Sequence, residues 1–212
     1  DLEGLPVVHI RKVPLSSSEL NRFIKRGMDL VLGTIALLIA AVPMLIVAII
    51  IKCTSKGPVF YSQKRVGFRN KEFMMYKFRS MHVQTDEEER EQWTTKDDPR
   101  KTKWGAFMRK TSIDELPQFF NVLKGDMSVV GPRPERPFFV EKFKEEVPRY
   151  MIKHQVRPGI TGWAQVNGYR GDTSIEERIN HDLYYIENWT FSFDLRIIFL
   201  TVFKGFINKN AY

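Results

Sequence analysis

The chain has 212 residues, 43% of them apolar and 13% aromatic, which is enough to bury a core and excludes general disorder. Its 33 lysines and arginines against 25 aspartates and glutamates leave a net charge of +8, which selects polyanionic partners: nucleic acid, anionic lipid or a phosphorylated substrate. The single cysteine, Cys53, excludes a scaffold stapled by internal disulfides.

Residues 1–10 predict a short strand, followed by a polar linker through Ser18. Residues 1–21 are therefore expected to be the tail of an upstream domain or a linker. The mean hydropathy of −0.30 hides an abrupt change that follows. From Leu30 to Ile51 the chain runs 22 residues without a charge. A membrane helix needs about 20 such residues, and a soluble helix rarely goes this far without a polar face.

Pro43 lies inside this run, where its ring removes one backbone hydrogen bond and crowds the preceding turn. Both flanks are basic: Arg22, Lys25 and Arg26 precede the run, and Lys52, Lys56, Lys64, Arg65, Arg69 and Lys71 follow it. Positive flanks stay in the cytoplasm. A straight span sends one of them across, whereas a helix broken at Pro43 into arms Leu30–Val42 and Met44–Ile51 keeps both inside. We therefore expect residues 22–56 to form a re-entrant membrane helix, with a proline-kinked spanning helix as the alternative. Residues 57–212 are expected to form a cytoplasmic catalytic domain.

Within that domain, residues 58–63 and 72–79 predict strands joined by a turn at Gly67–Asn70. An acidic helix is expected over Thr85–Thr95 and a turn at Asp97–Pro99. Helices are expected over Trp104–Arg109 and Glu115–Leu123. Pro132, Pro134 and Pro137 forbid regular structure until a helix over Phe138–Glu146. Helices over Ser174–Trp189 and Asp194–Ile207 complete the chain. The last is apolar enough to lie on a membrane surface, with a core helix as the alternative. The fold class expected is α+β, predominantly helical, membrane-anchored, with a proline-broken re-entrant helix and interfacial amphipathic helices.

The densest chemical block is Arg109-Lys110-Thr111-Ser112-Ile113-Asp114-Glu115-Leu116-Pro117. Adjacent carboxylates behind two cations suit a nucleophile, Asp114, beside a proton-handling Glu115. Ser112 and Glu115 also have the spacing of a helix capping box. The proline-stiffened loop carries Arg133, Glu135 and Arg136, and a rigid loop lets arginines clamp an anion at little entropic cost. The stretch Arg157-Pro158-Gly159-Ile160-Thr161-Gly162-Trp163 offers glycines for close backbone approach, a cation and an aromatic face. Lys77 and Arg79 share one face of a strand. Cys53, beside the membrane run, reads as an acylation site or an inert thiol.

These ordered stretches resemble the bacterial sugar transferase family, the polyprenyl-phosphate hexose-1-phosphate transferases. The resemblance is carried by Arg22–Asp29, Ser55–Phe60, Tyr76–Met81, Asp114–Gln118, Gly131–Pro134, Arg157–Gly162, His181–Tyr185 and Asn208–Tyr212. It implies a re-entrant helix broken at proline, although Val42 stands where the family often has serine. It implies an Asp114–Glu115 dyad in which Asp114 attacks the sugar-bearing phosphorus of a UDP-hexose, UMP leaves, and undecaprenyl phosphate takes the sugar phosphate. Mg2+ is expected at Asp114. Lys77, Arg79, Arg109, Arg133, Glu135, Arg157 and Asp182 are the expected substrate-binding groups, with Asp182 orienting an arginine. The stretch Trp163–Gly168 resembles members that use UDP-glucose or, less closely, UDP-galactose. The resemblance places the protein at the bacterial inner membrane, on the cytoplasmic face, in exopolysaccharide or O-antigen assembly. Membrane lipid is an expected partner, nucleic acid is not, and a homo-oligomer is compatible with the sequence. The reading from a different class is a non-catalytic basic module that binds anionic lipid or nucleic acid.

Overall fold

The structure, a computed structural model, describes residues 13–81, 102–171 and 173–205. The expected strand over residues 1–10, the acidic helix over Thr85–Thr95, the turn at Asp97–Pro99 and the matching stretch at Asn208–Tyr212 lie outside them.

Helix α1, Pro14–Ser17, is a single turn in what reads as a polar linker. Val13 and Leu15 on it are buried in the main core, so this stretch contributes to packing. Helix α2 then runs from Glu19 to Thr54. Ser18 caps its start by accepting from the Asn21 N–H at 3.3 Å, with Glu19 in the first turn. The expected break into two arms at Pro43 is replaced by one helix with Pro43 inside it. Proline removes one N–H, and its fixed φ is helical, so the bonds on either side persist.

One face of α2 is buried through Lys25, Asp29, Gly33, Ala40, Met44, Val47 and Ile51, at helical spacing. The other exposes Leu38, Ile39, Val42, Leu45, Ile46 and Ile49. Among the described residues this is the one helix long and apolar enough to cross a membrane, with a mean hydropathy of 3.0 over its most apolar window. A helix of 36 residues is about 54 Å long.

Strands β1, Phe60–Val66, and β2, Glu72–Phe78, pair antiparallel from Phe60 opposite Phe78 to Val66 opposite Glu72. Their connection is a 3-10 turn over Phe68–Asn70, where Arg69 and Asn70 take left-handed φ of 55° and 59°. Helix α3 is Lys103–Lys110, capped by Thr102. A 3-10 turn over Ile113–Glu115 leads into helix α4, Gln118–Lys124. Strand β3, Ser128–Val130, precedes the proline-rich loop, and helix α5, Pro137–Glu146, follows it. A 3-10 segment over Tyr150–Gln155 leads to strand β4, Gly159–Thr161, which pairs parallel with β3. Helices α6, Trp163–Val166, α7, Ile175–Glu187, and α8, Phe191–Gly205, complete the chain.

The parallel β3–β4 pair was not legible in the sequence because each strand is three residues long. It explains three of the glycines. A Cβ on Gly159 would lie 2.1 Å from the Gly131 nitrogen, and one on Gly162 would lie 2.3 Å from the Gly131 oxygen. The close backbone approach read from these glycines is the approach of two strands of this chain to each other.

The two halves of α2 pack on one body. Gly33 abuts Val122 and Leu123 of α4, where even a methyl group would sit 3.3 Å from both side chains. Further along, Ala40, Met44, Val47 and Ile51 form a cluster with Phe78 and Met108, flanked by Ile113 and Leu116. Two basic flank residues are structural here. Lys25 donates to Asp194 Oδ2 at 2.7 Å and to the Val130 carbonyl at 2.9 Å. Arg26 donates to the Val122 and Leu123 carbonyls at the end of α4.

Candidate active site

The 3-10 turn over Ile113–Glu115 holds the carboxylate pair beside the end of β2 and below the proline-rich loop. Ser112 takes a left-handed φ of 57° ahead of it and makes no side-chain cap, so the expected capping box does not form. The Ser112 Oγ instead accepts from Arg170 Nη1 at 2.9 Å. Asn121, fully buried on α4, locks the turn against β2 by donating to the Met74 carbonyl at 2.8 Å and accepting from the Tyr76 N–H at 3.0 Å.

Both carboxylates are buried, at 4% exposure for Asp114 and 5% for Glu115. Their surroundings differ. Glu115 Oε1 accepts from Lys77 Nζ at 2.8 Å and from Arg133 Nη2 at 2.8 Å, and Oε2 lies 3.1 Å from Arg170 Nη2. Burial by itself raises a carboxyl pKa, but Arg133, Arg170 and Lys77 together hold Glu115 well below its ordinary value. Glu115 is an ionised anchor, saturated with cations, rather than a group poised to carry a proton.

Asp114 has the opposite balance. Its Oδ1 is buried with no hydrogen-bond partner among the described residues. Burial raises its pKa, the field of Lys77 opposes that rise, the neighbouring Glu115 adds to it, and Arg109 and Arg170 oppose it. This buried oxygen, beside Lys77, Arg109 and Arg170 and without a donor among the described residues, is open to a further ligand.

The structure brings Asp114, Glu115, Lys77, Arg133 and, through its field, Arg109 to one place. It sends the other expected residues elsewhere. Arg79 donates to the Ser55 and Lys56 carbonyls at 2.9 and 2.7 Å, tying down the end of α2. Glu135 pairs with Arg178 at 3.0 Å and Arg65 at 3.7 Å, and those cations with Lys153 and Arg133 keep it ionised against its burial. Asp182 on α7, expected to orient an arginine, pairs instead with Lys153 of the 3-10 segment at 3.3 Å, and both are buried. Arg136 stacks over the Phe139 ring at 4.5 Å. Arg157 donates to the Gly125 carbonyl at 2.8 Å and lines a separate cavity.

Arg170 is the site residue that the sequence reading missed. It sits in Gly168-Tyr169-Arg170-Gly171, where Gly168 and Gly171 take positive φ of 91° and 76°. An arginine framed by two glycines just beyond the Trp163–Gly168 stretch was the available signal.

The profile of the family described as bacterial sugar transferase matches residues 20–208. A UDP-glucose:undecaprenyl-phosphate glucose-1-phosphate transferase of Escherichia coli (strain K12) is 47% identical over all of this chain and 46% of its own length. A UDP-N-acetylgalactosamine-undecaprenyl-phosphate N-acetylgalactosaminephosphotransferase of Aeromonas hydrophila is 48% identical over 95% of this chain and 52% of its own. The chain thus spans about half the length of these relatives. It covers 89% of an uncharacterized sugar transferase, EpsL, of Bacillus subtilis (strain 168), at 42% identity. With a match over this much of its length and carboxylates gathered where its motifs meet, the chain belongs to the bacterial sugar transferase family.

Proposed function

We propose that this chain is the catalytic part of a membrane enzyme that transfers hexose-1-phosphate from a UDP-hexose, UDP-glucose before UDP-galactose, to undecaprenyl phosphate. The observation that carries this reading is the asymmetry of the dyad: Glu115 is saturated by Lys77, Arg133 and Arg170, while Asp114 Oδ1 has no hydrogen-bond partner among the described residues. Asp114 attacks the sugar-bearing phosphorus, forming an aspartyl–phosphate bond. The bridging P–O bond of the pyrophosphate breaks, and UMP leaves with that electron pair. An oxygen of undecaprenyl phosphate then attacks the same phosphorus and restores the Asp114 carboxylate. Lys77, Arg133 and Arg170 set the local charge for a polyanionic substrate and hold Glu115 in place.

Magnesium suits a site with one free carboxylate oxygen and substrate phosphates, since it is usually held by one or two carboxylates plus phosphate oxygens rather than by a protein cage. The described residues contain no cluster of three or more metal-ligating side chains, and the orphaned Asp114 Oδ1 is the group that fits. Held by Asp114, such an ion would supply positive charge to offset the phosphates that otherwise repel an anionic nucleophile.

For the membrane, we favour an α2 that stays one helix, bends at Pro43 rather than breaking there, and keeps both of its ends on one side. One end of α2 is held by Lys25 and Arg26, the other by Arg79, and all three bind the same body. This supports keeping both basic flanks on the cytoplasmic side of the bacterial inner membrane. The exposed Leu195, Phe199, Val202 and Phe203 of α8 support its lying at the interface.

The test is UMP release from a panel of UDP-sugars with undecaprenyl phosphate and magnesium. Expected is release that needs the metal and is highest with UDP-glucose. Incubation with labelled UDP-sugar but no acceptor should leave a sugar phosphate on Asp114; an unlabelled protein that still turns over would replace the covalent route with direct transfer.

A further inference from the structure

A cavity of about 210 Å³ lies apart from the dyad, between the first turns of α2, the turn over Phe68–Asn70 and the segment leading into β4. Arg22, Lys25, Arg69 and Arg157 line it, with Asp29 the one acid; none of Asp114, Glu115, Lys77, Arg133 or Arg170 does. Leu15 and Phe68 supply apolar wall.

Lys25 is neutralised in place by Asp194 at 2.7 Å and Asp29 at 3.7 Å. Asp29 is itself spoken for, accepting from the Val129 N–H and Ser128 Oγ. Arg22 pairs with the solvent-exposed Glu19, so the positive charge that matters here is that of Arg69 and Arg157. Arg69 and Arg157 have no carboxylate within ion-pair distance among the described residues, yet both sit over the same Phe68 ring, at 5.0 and 5.7 Å from its centre. Burial first, and Arg26 second, lower the pKa of Arg157 from its ordinary value, against the opposing field of Asp29. The turn that presents Arg69 is anchored by a 2.6 Å hydrogen bond between Asn70 and His154. Two guanidinium groups held around one ring, neither in an ion pair among the described residues, make a preformed anion site.

Its height suggests the source of the anion. Arg22 and Lys25 precede Leu30, where the uncharged run begins, by no more than about 12 Å along the helix, and Leu20 and Phe23 beside them are exposed. We propose that this cavity is a second anion site, taking the phosphate of a membrane lipid headgroup, so that a lipid seats the enzyme at the depth its dyad requires. The inference rests on the membrane reading above. Bulk anionic phospholipid is favoured over the polyprenyl acceptor, because the acceptor's phosphate must reach Asp114, whose cluster shares no residue with this cavity.

The test is native mass spectrometry of the full chain from detergent micelles, titrated separately with phosphatidylglycerol, undecaprenyl phosphate and inorganic phosphate. Expected is retention of phosphatidylglycerol that weakens at least about tenfold in Arg69→Gln/Arg157→Gln and measurably in Arg69→Gln, whose exposed side chain makes misfolding a poor explanation. The control Lys64→Gln/Lys142→Gln, at exposed cations outside the cavity, should bind as the wild type does. If only undecaprenyl phosphate retention falls, the lipid site stands and its source is the acceptor. Equal weakening in the control, no change in either cavity variant, or an effect on inorganic phosphate alone overturns the inference. A wild type that retains lipid but releases no UMP faults the functional reading and not this one.

Discussion

Arg170 Nη2 lies 3.1 Å from Glu115 Oε2 while its Nη1 donates to Ser112 Oγ at 2.9 Å, so one guanidinium spans the turn that carries the dyad. This bridge fixes Glu115 from the side that Lys77 and Arg133 do not reach. Arg170→Lys keeps the charge but cannot make both contacts at once. Turnover should fall about tenfold or more with the thermal midpoint within a few degrees of wild type, measured by UMP release and calorimetry.

The two carboxylates should respond oppositely to neutralisation. Asp114→Asn removes a buried charge with an unpartnered oxygen, so stability should hold or rise while UMP release drops at least about a thousandfold. Glu115→Gln strands three cations and should cost roughly 3 kcal/mol in urea unfolding. A non-catalytic basic module would keep its function in Asp114→Asn, which separates the two classes directly.

In the proposed reaction Asp114 must be ionised to attack, and its folded pKa is raised, chiefly by burial. The acid limb of turnover should therefore lie above the ordinary aspartate value of 3.8. Arg109 opposes that rise, so Arg109→Gln should shift the limb to higher pH. For stability the sign reverses between the partners. Glu115, held below its ordinary 4.5, stabilises the fold above that pH and loses this contribution as pH falls through its lowered value. Ionised Asp114 costs stability, and protonating it relieves the cost. A pH profile of UMP release set beside urea midpoints checks both.

Arg79 binds the Ser55 and Lys56 carbonyls rather than the dyad. Arg79→Gln should lose about 2 kcal/mol of stability, the scale of charge-assisted hydrogen bonds, and leave the KM for UDP-glucose near wild type. A large rise in KM without destabilisation would return Arg79 to the substrate.

Gly159→Ala places a Cβ 2.1 Å from the Gly131 nitrogen. No side chain can move to relieve a backbone clash, so β3 and β4 must separate, at a cost of more than about 3 kcal/mol. Chemical denaturation of the variant measures it.

Much of this protein was legible in the order of its residues. The apolar run from Leu30 to Ile51, its basic flanks, the β1–β2 hairpin and the adjacency of Asp114 and Glu115 are local properties, set by neighbours in the chain and by the periods of helix and strand. Which arginine meets which anion was decided only when distant segments packed. Arg133 and Arg170 converge on Glu115, Arg79 turns to the end of α2, Arg157 to another cavity, and Asp182 to Lys153. A long cationic side chain carries no sign of its partner in sequence, because the choice depends on which carbonyl or carboxylate the fold leaves within reach. The same holds for Gly131 and Gly159, whose need for a bare backbone arises only where two short strands meet.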